Sequence, residues 1–177
     1  MSRLTVIGVG NPQFGDDGVG IAVIQALRKT QAEWDIELID GGTDTLGLLE
    51  YFPNRKHLVI VDAARMGAEP GAVRCFDPSE ADLVLHWDHL SLHGMGLAEA
   101  YHLATKLDML PERMWVIGVQ PGIVAVSHRL SPAVRNALPQ VITLIENIYH
   151  HGKTLPGNTI KRNHPSPRFS KEVRVHG

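Results

Sequence analysis

Residues 4–20 read Leu4-Thr5-Val6-Ile7-Gly8-Val9-Gly10-Asn11-Pro12-Gln13-Phe14-Gly15-Asp16-Asp17-Gly18-Val19-Gly20. The apolar run from Leu4 to Val9 has the length and branched side chains of a buried strand, and it stops at a glycine-rich loop. Behind the loop Val19, Val23 and Leu27, with Ala22 and Ala26, recur at helical spacing up to Arg28. Strand, loop and helix follow one another, and the order then repeats. Ile36 to Ile39 reads as a strand, Thr45 to Tyr51 as a helix, and His57 to Val61 as a third strand with Asp62 at its carboxyl end. Such alternation predicts an α/β fold in three layers, a mostly parallel twisted sheet with helices on both faces.

Working outward, Glu69-Pro70-Gly71 is a turn and Ala72 to Phe76 a short edge strand. His86 to His93 reads as a loop, Gly94 to Leu107 as a helix, Met114 to Val119 as a strand and Ser131 to His150 as a final helix. Ser131 suits the N-cap of that helix and Pro132 its first turn. From Gly152 onward Gly, Pro, Asn, Lys and Arg dominate and no periodicity survives. Residues 1–151 are therefore expected to form one α/β domain, and residues 152–177 a basic, disordered tail.

Composition excludes several functions. With 177 residues, 44% hydrophobic and 20% charged, the chain suits one globular domain. Its apolar runs are far too short to span a bilayer and no signal-like segment opens it, so a cytoplasmic protein without membrane insertion is expected. Cys75 is the only cysteine, which rules out an intrachain disulfide and a thiolate-rich zinc site. The formal charge of −2 is uneven: residues 152–177 hold six Lys/Arg against one Glu, a balance of +5 that leaves −7 on residues 1–151. An acidic body makes nucleic acid an unsuitable partner.

A strand followed by Gly8-Val9-Gly10 invites a dinucleotide-binding reading, and Asp40 at the end of the second strand mimics the acid that binds a ribose. The third glycine of that fingerprint is absent, because Gln13 stands in its place. Asp16 and Asp17 sit where a pyrophosphate needs bare N–H groups, and no Gly-Lys-Ser/Thr of a Walker loop follows. Two adjacent acids can serve a helix N-terminus, one as cap, while the other projects into the crevice above the strand ends. Asp62 ends the third strand as the Asp16–Asp17 loop ends the first, so these carboxylates are expected to converge there. Facing carboxylates are costly unless a cation neutralises them. A turn-capping role for Asp62 is the simpler alternative. The segment His86 to His93 adds three imidazoles, and one of them beside two carboxylates would suit a divalent transition metal. A separate His86/His89/His93 zinc site is the other arrangement open to them.

Gly10-Asn11, Gly15-Asp16-Asp17-Gly18, Asp40-Gly41-Gly42-Thr43, Val61-Asp62-Ala63 and Ser91-Leu92-His93, taken in order, make the chain similar to the [NiFe]-hydrogenase maturation endopeptidases. Ile117-Gly118-Val119-Gln120-Pro121 is similar to that family's last strand and following loop. The resemblance spans about residues 4 to 150 and implies a phosphorylase/hydrolase-like fold. It implies an endopeptidase that removes the C-terminal extension of a hydrogenase large-subunit precursor after nickel insertion. It further implies that nickel arrives with the substrate, with zinc or cadmium able to substitute in vitro. By motif, Asp17, Asp62 and His93 are the implied metal ligands and catalytic residues, and Asp40, Gly41, Gly42 and Thr43 form a substrate-facing loop. The expected partner is the large-subunit precursor, met by a monomer. A carboxylate acting as general base remains an alternative to one acting only as ligand. A metal-binding chaperone without cleavage, or a peptidase for another precursor, remain alternatives for the whole. Cys75, on the expected edge strand, is read as a packed thiol rather than a nucleophile.

Overall fold

The computed structural model describes residues 4–30, 34–44, 46–78 and 94–152, with residues 94–96 described by backbone alone. Strand β1 (Leu4–Val9) leads through a 3-10 turn (Gly15–Gly18) into helix α1 (Val19–Thr30). Then come β2 (Ile36–Gly42), a second 3-10 turn (Gly47–Tyr51), β3 (His57–Ala63), β4 (Val73–Phe76), helix α2 (Gly94–Lys106), β5 (Arg113–Val119) and helix α3 (Pro132–His151). The five strands form one sheet in the order β2-β1-β3-β5-β4. β1 is parallel to β2 and β3, and β3 to β5, while β4 is antiparallel to β5 at the edge.

The side-chain period of two sorts the strands onto two cores. On one face Val6, Val59, Val61, Trp115 and Ile117 pack under Val23 and Leu27 of α1 and Val141, Leu144 and Ile148 of α3. On the other, Ile7, Leu58, Ile60, Met114 and Val116 lie under Leu48, Phe52 and residues Leu97 and Ala104 of α2. The expected three-layer, mostly parallel arrangement is thus present. It explains why β1 is buried at every position: a parallel strand covered on both faces has no polar side.

Two elements differ in detail from expectation. The Thr45–Tyr51 helix is a 3-10 turn confined to Gly47–Tyr51, with Thr45 itself outside the described residues. Asp44 Oδ1 accepts from Gly47 N–H at 3.0 Å and fixes its start, leaving too short a run for α-helical i→i+4 bonds. β2 continues past Ile39 to Gly42, because Gly8 pairs with Asp40 and, after a register shift, Val9 pairs with Gly42. A bulge carries the two glycines into the strand, where propensity alone would not place them. α3 ends as it should, at Gly152 in the left-handed conformation with its N–H on the Ile148 carbonyl. The 86–93 segment with His86, Trp87 and His89, and the tail from 153 onward, lie outside the described residues.

Candidate active site

The strand order places β2 on one side of β1 and β3 on the other. The connections therefore leave β1 in opposite senses, opening a crevice beyond the carboxyl ends of β1 and β3, where ligands of open α/β sheets bind. Asp17 and Asp62 are the acids at that point. Asp62, 1% exposed, stands near the end of β3 opposite Gly118 of β5. Asp17, 6% exposed, stands in the 3-10 turn after β1, which packs against β3.

The loop between them is shaped by close approach. Gly10 has φ +131°, and a Cβ there would strike the carbonyl oxygen of Asp17. Asn11 N–H donates to Asp17 Oδ2 at 3.0 Å, and Asn11 Oδ1 accepts from Gln13 N–H at 2.9 Å, so one asparagine both orients the acid and closes the turn. Gly20, in the first turn of α1, lies so near the sheet that a Cβ would meet the carbonyl oxygens of Val61 and Val9. The glycines bring the helix and its preceding acids down onto the strand ends.

Asp16 points elsewhere and is fully buried. Its Oδ2 accepts from Gly122 and Ile123 N–H, both at 2.8 Å, and its Oδ1 from Ser131 N–H at 2.6 Å. Burial pushes its pKa up, but the amides of Ile123, Ser131 and Gly122 together outweigh that and hold the carboxyl below the ordinary carboxylate value. Rather than capping its own helix, Asp16 binds the N-cap residue of α3, whose hydroxyl accepts from Val134 N–H. Gln120 does similar work beside it: its Oε1 accepts from Met66 N–H at 2.7 Å and Ala68 N–H at 3.3 Å, tying the β3–β4 connection to the end of β5. The tight Gly-Asp-Asp-Gly spacing hinted at Asp16, whereas Gln120 carried no signal beyond its place after a strand.

Asp40, Gly41, Gly42 and Thr43 lie at the carboxyl end of β2, beside the same loop. Gly10 N–H donates to the Gly42 carbonyl at 2.8 Å, and Asp40 Oδ1 accepts from Gly42 N–H at 3.1 Å. Asp40 and Thr43 are exposed, and Gly41 and Gly42 half-buried. Cys75 is fully buried on β4, and burial, helped by Asp77, pushes its thiol up to about 12. His93 lies outside the described residues. Among the described residues no group of three or more His, Cys, Asp or Glu converges into a metal site. Asp17 and Asp62 offer hard oxygen donors and would need a further ligand from another segment or from a substrate.

Comparison with known proteins points one way. The family model of hydrogenase maturation proteases matches residues 21–148. The hydrogenase 2 maturation protease of Escherichia coli (strain K12) is 31% identical over 150 residues, 81% of this chain and 90% of its own length. The hydrogenase expression/formation protein HupD of Rhizobium leguminosarum bv. viciae is 30% identical over 142 residues, 79% of this chain and 70% of its own. The hydrogenase maturating endopeptidase HybD from E. coli superposes with a TM-score of 0.69 at 27% identity, over 82% of this chain and 93% of that one.

Proposed function

The chain belongs to the hydrogenase maturation protease family and is a peptidase of that kind, and from that premise we propose that it removes the C-terminal extension of a [NiFe]-hydrogenase large-subunit precursor after nickel insertion. The observation that carries the reading is the pair of buried carboxylates, Asp17 and Asp62, at the carboxyl ends of the adjacent strands β1 and β3. Buried acids carried by a turn and by the strand it packs against favour a divalent cation over any neutral ligand. Nickel is then part of the substrate, and a precursor without it lacks the group that the two acids would hold at the bond to be cut.

In this reading Asp17 and Asp62 provide two oxygen donors and His93 an imidazole nitrogen, a mixed set suited to nickel. A divalent ion held there would supply Lewis-acid polarisation of the scissile carbonyl or of an attacking water. Asn11 N–H holds Asp17 Oδ2 in place, and the burial of both acids limits competition from bulk water. Asp40 to Thr43 contact the precursor from the β2 side. Cys75 takes no part, because its thiol is buried and held protonated.

The test is the intact mass of a large-subunit precursor, nickel-loaded and nickel-free, before and after incubation with the protein. Loss of a short C-terminal peptide from the nickel-loaded form alone is the expected result. Loss from both forms would remove nickel recognition, and loss from neither would leave a metal-binding chaperone or a peptidase for another precursor.

A further inference from the structure

Large apolar side chains stand in solvent at the rim of the crevice. Val126 is 83% and Ile123 57% exposed, and Phe14 and Val124 are exposed beside them. They belong to two segments lashed together. Ser127 N–H donates to the Gln13 carbonyl at 2.9 Å, Gly15 N–H to that of Ser127 at 2.7 Å and Asp16 N–H to that of Ile123 at 2.9 Å, with Phe14 and Ser127 in a parallel bridge. The Asp16 carboxylate adds its bonds to Gly122 and Ile123. A loop this firmly held could turn its apolar residues inward; these face outward, and exposed apolar patches of such proteins mark interaction sites.

We propose that Phe14, Ile123, Val124 and Val126 form the docking surface for the protein substrate, receiving an apolar segment of the large-subunit precursor next to the bond to be cut. The identity of the partner rests on the function proposed above. Two features of the surface fix its chemistry. It adjoins the turn that carries Asp17, since Gly15 and Asp16 of that turn bond to Ser127 and Ile123. The run Gly122-Ile123-Val124-Ala125-Val126-Ser127 carries no charge, so it fits an apolar segment, with the exposed Arg129 at its far end. Affinity gained away from the reacting bond is also what a protease specific for one folded precursor requires.

The experiment places lysine in the patch of the full chain, as Ile123→Lys and Val126→Lys, with Leu107→Lys as control. Leu107 is 55% exposed too, but it follows α2 on the way into β5, at the opposite end of the sheet. KM and kcat are measured on nickel-loaded precursor, and binding to the same precursor is measured in an Asp62→Asn background. Each patch lysine is expected to raise KM and weaken binding by about tenfold or more, equivalent to one buried interface anchor, while kcat changes less than about twofold. Leu107→Lys should change nothing. Unaltered KM and binding in both patch variants would overturn the proposal. So would a dimer in sedimentation velocity that Val126→Lys dissolves without affecting KM, because the patch would then belong to a second copy of the chain. If the unsubstituted protein cleaves nothing, binding still decides. Binding that the lysines abolish keeps the docking surface while the proposed cleavage falls, and no binding at all overturns both.

Discussion

Asp62 is buried near the end of β3, opposite Gly118 of β5. Asparagine has the same shape and lacks the charge, so Asp62→Asn separates ligand from scaffold. We expect kcat/KM on nickel-loaded precursor to fall about 100-fold or more, the scale of a lost catalytic alignment. The melting temperature should stay within about 3 °C, because asparagine keeps the volume and an acceptor oxygen of the carboxylate. A variant that cleaves normally would take Asp62 out of the site. Asp16→Ala should do the reverse. It leaves the amides of Gly122, Ile123 and Ser131 without their acceptor, which costs about 3–5 kcal/mol in urea unfolding. Cys75 gives a third test, since a thiol raised to about 12 holds almost no thiolate at pH 8. Iodoacetamide should leave native protein active and label Cys75 only after denaturant is added. At this scale the sequence displayed the acids but not their division of labour. Asp16 and Asp17 look alike in the chain, and what separates them is that Asp16 finds partners more than 100 residues away.

Elements are where the sequence was most legible. Continuous apolar runs such as Leu4–Val9 and Leu58–Val61 can only be central strands of a covered sheet, and the capping pair Ser131–Pro132 marks the start of α3. What escaped was geometry set by close packing: the extension of β2 through Asp40, Gly41 and Gly42 depends on a bulge against β1, and the Gly47–Tyr51 turn on its packing under the sheet. Gly20 belongs to the same class. Its place in a helix looks unfavourable by propensity alone, yet α1 can lie on β1 and β3 only because no Cβ intervenes. Gly20→Ala should therefore destabilise despite alanine's better helix propensity, by about 1–3 kcal/mol as for an overpacked core. It should also depress cleavage more than that loss of stability explains, because α1 carries the Asp17 turn on its N-terminal end. An alanine variant more stable than wild type in urea would show that α1 can move away from the strands without cost.

Over the whole molecule, charge is divided rather than absent. The basic stretch from 152 to 177 offsets most of the acidity of the preceding 151 residues. Two consequences are conceivable, an arm that captures an acidic partner or an extension that only solvates, and salt separates them: a charge-steered encounter weakens as the Debye length shortens from about 30 Å at 0.01 M to about 8 Å at 0.15 M. The two cores draw on residues from Leu4 to Ile148, and the last helix closes on Gly152. A chain ending after Gly152 thus keeps the α3 cap and every described side chain of both cores. We expect that truncation to melt within about 3 °C of the full protein and to cleave precursor within about twofold of it at both salt concentrations, because recognition is assigned to the uncharged rim around Val126, which screening does not touch. A truncated protein that loses about tenfold in rate at 0.01 M salt, but matches the full chain at 0.15 M, would instead make residues 153–177 a steering arm. The apolar rim would then hold a partner that the basic tail had first brought to it.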